Sequence, residues 1–239
     1  MAKFGKWIAG GLGWAFMGPV GGIIGFIVGS VIDEIPGNSL QQTGQTTSGD
    51  FAVSLLVLLA ALMKADGRVM RSELNYVKNY LEQTFGRASA AEAIQLLQKL
   101  LKQEIPVDDV ALQMRQRMDY ASRLQLLHFL YGIANADKEL HPDEIRLINH
   151  IADMLGISAD DKQSVNAMFY DDVEAAYKVL NISPSATDDE VKKAYRKMAV
   201  KNHPDKVGYL GDDIKKAAEN KFQQLNAAYE KIKKKRGIK

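Results

Sequence analysis

Twenty residues near the C-terminus, Thr187 to Lys206 (TDDEVKKAYRKMAVKNHPDK), constrain the chain more than any other stretch, because they specify both where a helix starts and where it stops. Thr187 followed three positions on by Glu190 is a capping box, in which each side chain satisfies a backbone N–H that a helix start leaves unpaired. Val191, Ala194, Tyr195, Met198 and Ala199 recur at the three- and four-residue spacing of one helix face. Lys192, Lys193, Arg196, Lys197 and Lys201 stand off that stripe, with no acid among them. Pro204 cannot continue a helix and drives His203 out of the helical region, so the element ends at His203-Pro204-Asp205. The pattern predicts an amphipathic helix with a basic outer face, closed by a rigid turn.

After that turn a loop reaches about Asp213, and a last helix carries Ala218, Phe222, Leu225, Tyr229 and Ile232 as an apolar seam. The seam should pack on the stripe of the basic helix as an antiparallel pair and leave the turn exposed. Lys233 to Arg236 reads as a solvated tail, not as a nucleic-acid site. From Val173 on, VEAAYKVLNISPSATDDEVKKAYRKMAVKNHPDK and NKFQQLNAAYEKI resemble the J domain of DnaJ-type co-chaperones, with its first helix, basic second helix, HPD loop and third helix; the resemblance covers residues 172–236. It implies that His203, Pro204 and Asp205, with Lys192, Lys193, Arg196, Lys197 and Lys201, bind the ATP form of a DnaK-type chaperone and accelerate that partner's hydrolysis. The cations would steer encounter and fix orientation. Asp205 would engage a basic group on the partner.

The tripeptide occurs twice. At His141-Pro142-Asp143 the proline stands where a helix begins, at its tolerated first position, with Glu144 next and no basic helix leading in. That copy reads as helix-start chemistry, and the copy at 203 as the functional one.

Composition sets the frame. Hydrophobic residues make up 46% and charged residues 25% of the 239, the balance of a globular chain. Cysteine is absent, which excludes disulfides, cysteine-ligated zinc and thiol catalysis. The net charge of +2 hides an asymmetry: residues 171–239 hold 16 Lys and Arg against 11 Asp and Glu, so the basic surface is local to the C-terminus.

From Trp7 to Ile32 no residue is charged, a run of 26 that is long enough to cross a bilayer as one helix. Gly21, Gly25 and Gly29, and likewise Gly18 and Gly22, are spaced by four, leaving bare stripes on which a second helix, including one from another copy of the chain, can approach closely. A hairpin bent at Gly18-Pro19 would have arms too short to span. Lys3 and Lys6 on the N-terminal flank vote for a cytoplasmic N-terminus, whereas a J domain needs cytosolic ATP and chaperone; the reading is a single pass with the bulk in the cytoplasm, at a bacterial inner membrane. Residues 35–50, polar and rich in Gly, Ser, Thr and Gln, read as a flexible tether.

Residues 51–170 read as a helical domain of about seven helices. Phe51 to Met63 is apolar in all but Ser54, as a buried core helix is. A shift of 71 residues lays SLLVLLAALMKADGRVMRSEL onto QLLHFLYGIANADKELHPDEI, implying two helix-loop-helix units. The repeated A-D-x-x-[VL]-x-x-x-E resembles the TerB domain, and the resemblance implies a possible divalent-cation site at Asp66, Glu73, Asp137 and Glu144, which are hard oxygen ligands. The competing reading is that the aspartates fix turns and the glutamates favour the next helix's first turn. His128 aligns with Val57 and reads as a core histidine; His150 has no evident partner.

The whole is all-α: a glycine-rich membrane anchor (1–34), a tether (35–50), a TerB-like bundle (51–170) and a J domain (171–239). This order resembles the DjlA-type membrane-anchored DnaJ-like co-chaperones over nearly the whole chain. The resemblance implies a co-chaperone that is not itself an enzyme. The alternative is a divalent-metal or envelope-stress-sensing adaptor acting through the TerB-like domain.

Overall fold

A computed structural model describes residues 48–65, 69, 71–135 and 141–238, and every long regular element among them is an α-helix. The uncharged run 7–32, its glycine stripes and the tether as far as residue 47 lie outside the described residues. No helix among the described residues is long and apolar enough to cross a membrane.

Helix α1 (Ser48–Leu62) opens before Phe51, inside the stretch read as tether. From Phe51 to Met63 every side chain is buried, Ser54 included, which is the environment an apolar run of this length requires. Around it lie α2 (Arg71–Phe85), α3 (Arg87–Leu100), α4 (Val107–Arg117), α5 (Tyr120–Ala134), α6 (Pro142–Met154) and α7 (Ala159–Ala167), giving the seven helices that the periodicity predicts. The axis of the bundle is α1, which touches α3, α4, α5 and α6. Phe51 meets Phe129 of α5 edge to face at 5.8 Å between ring centroids. The two repeat units are α1–α2 and α5–α6. A single residue, Gly86, separates α2 from α3, and its φ of 79° is the left-handed conformation such an abrupt link demands.

Helix starts follow their capping residues. Asp119 accepts from the Ser122 N–H before α5, Ser158 from the Asp161 N–H before α7, and Asp172 from the Ala175 N–H before α8 (Val173–Val179). Then come α9 (Asp188–Lys201), two short 3₁₀ turns (Pro204–Lys206 and Gly208–Leu210) and α10 (Asp212–Arg236). A second core, built from Tyr177, Val179, Leu180, Val191, Met198, Leu225 and Ile232, holds α8, α9 and α10 together.

The two cores exchange residues. Ala167 and Met168, at the end of the first bundle, belong to the second core. Val207, Leu210, Ile214, Ala217 and Ala218, which follow the HPD tripeptide, belong to the first. Ala218 therefore departs from the expected α9–α10 seam: with Ile214 and Ala217 it enters the first core, and α10 also packs on α2. Within the shared boundary the buried Ser164 hydroxyl donates to the Val179 carbonyl at 2.6 Å.

Candidate functional site

The basic helix α9 starts as its sequence dictates: Thr187 Oγ1 accepts from the Glu190 N–H, and Glu190 accepts from the Thr187 N–H at 2.7 Å. Hydrogen bonds from the backbone and hydroxyl of Thr187 hold the Glu190 carboxyl below the usual carboxylate range. Asp188, Asp189 and Glu190 sit in the first turn, where the helix dipole favours negative charge. Val191 and Met198 are buried, and Tyr195 stacks on Tyr229 of α10 with centroids 4.1 Å apart and donates to Asn226 at 3.0 Å. The antiparallel pair is thereby locked in register.

The helix ends on Asn202, whose side-chain amide donates back to the Met198 carbonyl. His203 is extended and caps the following 3₁₀ turn, with Nδ1 accepting from the Asp205 N–H at 3.3 Å. Pro204 is buried, whereas the side chains of His203 and Asp205 are 52% and 69% exposed. The His203 and Phe222 rings pack edge to face with centroids 5.8 Å apart. Asp205 pairs with Lys215 of α10 at 3.2 Å, an exposed contact that a stronger partner can displace at little cost. The turn thus presents one imidazole and one carboxylate on a buried proline.

The five cations that the sequence marks do not share one environment. Lys193, Arg196 and Lys197 are exposed on the outer face of α9, with Val200 at 67% beside them, and Lys192 is half-buried. Lys201 faces inward to α7, where its ammonium donates to both oxygens of Asp161, one at 2.6 Å. Asp161 is only 2% exposed and also accepts from Tyr120 and Ser158. Burial would raise its pKa, but the hydrogen bonds from Lys201, Tyr120 and Ser158 together outweigh that and hold it below the ordinary value.

The other copy of the tripeptide has the same local geometry. His141 Nδ1 accepts from the Asp143 N–H at 3.3 Å, and in both copies the imidazole stands 3.6 Å from the aspartate carboxylate. There the turn runs directly into α6, and Glu144 completes a capping box on the His141 N–H. Of the four residues of the possible cation site, Asp66 and Asp137 and the side chain of Glu73 lie outside the described residues. Glu144 stands in the first turn of α6 and accepts from the His141 N–H.

Several contacts have no local sequence signature. His150 bonds to Asp108 of α4 at 2.5 Å, two residues 42 positions apart. Arg236 is not part of a solvated tail: it donates to the Tyr177 hydroxyl at 2.6 Å and to the Pro184 and Ala186 carbonyls, pinning the loop that precedes α9. Between the two cores, His128 bonds to Gln224 at 2.8 Å, and Lys221 of α10 is buried, only 3% exposed.

A capped basic helix running into an exposed His-Pro-Asp turn, backed by an antiparallel helix, defines a J-domain protein. Comparison with known families agrees: the chain matches the DnaJ domain over residues 175–238, the tellurite resistance protein TerB over 52–167 and the co-chaperone DjlA transmembrane domain over 1–49. With the three in this order, the chain belongs to the DjlA type, the membrane-anchored J-domain proteins with a TerB domain between anchor and J domain. Relatives named co-chaperone protein DjlA include those of Coxiella burnetii and Haemophilus influenzae, each 27% identical with all of both chains covered. That of Yersinia pestis is 28% identical over 93% of this chain and 94% of its own. No solved structure matches.

Proposed function

We propose that this protein is a co-chaperone whose HPD turn and basic helix dock on a DnaK-type chaperone and stimulate its ATP hydrolysis at the membrane surface. The observation that carries the reading is the presentation of the turn: His203 and Asp205 exposed at the tip, Pro204 buried beneath them, and Lys193, Arg196 and Lys197 on the outward face of the helix that leads in. A cluster of exposed cations beside a fixed carboxylate suits an acidic partner surface with one basic group opposite Asp205. The chain contributes binding energy that shifts its partner between states and carries out no bond chemistry itself. The bulk of the chain then faces the cytoplasm, where ATP and the chaperone are; protease accessibility of residues 35–47 in spheroplasts against inverted vesicles tests that orientation, since cleavage in intact spheroplasts contradicts it.

The deciding experiment measures ATP turnover by the DnaK-type chaperone with the full chain. His203→Gln is expected to abolish stimulation and His141→Gln to leave it unchanged. Equal loss in both variants would overturn the assignment of the site.

A further inference from the structure

The HPD turn is tied at both ends to the TerB domain, through Lys201 on the near side and through the half-exposed Tyr209 and the buried Leu210 on the far side. On the near side, Lys201 is bound by both carboxylate oxygens of Asp161, which is itself fixed by Tyr120 at 2.5 Å and Ser158 at 2.8 Å. On the far side, the Tyr209 hydroxyl donates to the carboxylate of Asp119 and lies 2.9 Å from Ser122 Oγ. Asp119 is no loose surface acid, because its other oxygen caps α5 by accepting from the Ser122 N–H at 2.8 Å. Beneath these polar anchors, Val207 and Leu210 are 4% and 0% exposed, and the core they enter is that of the TerB helices, not that of the J domain. The buried residues of the J-domain core end at Met198 on one side of the turn and resume at Leu225 on the other, with Ala199 and Phe222 partly buried against them.

From this arrangement we infer that the TerB domain is the seat of the HPD turn: Asp119, Ser122 and Asp161 are positioning residues that fix the turn in one conformation for the chaperone. The inference rests on the docking role given above to the turn. A loop whose ends are tied and whose apolar side chains are buried has already lost the conformational freedom that docking would otherwise remove, so affinity rises without any new contact to the partner. The seat also takes Lys201 out of the outward cationic face and leaves Lys193, Arg196 and Lys197 to steer encounter. This gives the middle domain a partner within its own chain.

Two variants of the full chain test the seat. Leu210→Ala removes the apolar anchor, and Tyr209→Phe removes only the hydroxyl that reaches Asp119 and Ser122, leaving the ring. The first measurement is amide hydrogen exchange without chaperone: in Leu210→Ala the Val207, Leu210 and Gly211 amides are expected to exchange about tenfold faster or more, with Val191 to Met198 unchanged, and Tyr209→Phe should move the same amides less. The second is a titration of chaperone ATPase, in which the co-chaperone concentration for half-maximal stimulation rises roughly three- to tenfold while the maximum stays put, because His203 and Asp205 are intact. Wild-type exchange rates in both variants would show that the TerB domain does not hold the turn. Faster exchange with an unchanged half-maximal concentration would remove the positioning role. Absence of stimulation by the wild-type chain would instead sink the docking reading, and the exchange measurement, which contains no chaperone, keeps these failures apart.

Discussion

Two side chains at the boundary between the cores give the molecule a predictable response to pH. His128 is held neutral mainly by burial, with the Lys221 charge also opposing protonation and the Gln224 bond favouring it, so its pKa falls to about 3. Burial likewise lowers Lys221 to about 7, with Asp161 resisting the shift and Lys201 adding to it. In the unfolded chain both groups hold protons at higher pH than they do when folded. Stability therefore falls as pH drops from the ordinary lysine value to about 7 through Lys221, and again from the ordinary histidine value to about 3 through His128. Lys221→Met should raise the melting temperature at pH 7 by several degrees and have its smallest effect near pH 10.5, a window set by the two pKa values of this lysine. A melting difference independent of pH would show that the ammonium is not desolvated. The repeat marks His128 as a core histidine, and it is buried, but nothing local marks Lys221: a lysine among the many charges of α10 reads as solvent-facing until the opposing helix is known.

At the scale of single elements the sequence was most legible where the signals are local. The capping box, the apolar stripe and the proline stop of α9 all appear where the spacing places them, and so does the helix start at His141. The two copies of the tripeptide show the limit of local reading: their histidine and aspartate adopt the same geometry, and only the flanking helices distinguish them. Removing the cap by Thr187→Ala should cost about 1 kcal/mol in denaturant unfolding of the chain. Its effect on chaperone stimulation at saturation should be nil, because the cap lies at the opposite end of α9 from the turn. Arg236→Ala belongs to the same scale: by releasing the Pro184 and Ala186 carbonyls it should speed exchange in the loop before α9 and leave the HPD turn unaffected. Change at the turn would mean that the two ends of α9 are coupled.

For the molecule as a whole, order along the chain was readable and the joining of its parts was not. Hydrophobic periodicity says which face of a helix is buried but not against what, so Val207, Leu210 and Ala218 read as J-domain residues although they belong to the core of the TerB helices, where the turn ending at Leu210 reaches α1 and α10 runs along α2. Because each core contains residues of the other segment, the described region should unfold in one cooperative transition, with circular dichroism and tyrosine fluorescence giving coincident denaturant midpoints. Two separated transitions would contradict the exchange of residues between the cores.

That exchange bears on how such a protein can be taken apart or recombined. Tyr170 is half-exposed in the link between the cores, so a protease cut there should yield two fragments that remain in one particle. A J domain from another protein grafted after residue 170 would bring no side chains matched to the hollow that Val207 and Leu210 fill, and the bundle would be left with an open core. The boundary at which the chain is most easily divided on paper is therefore one that recombination cannot use freely: the two segments must vary together.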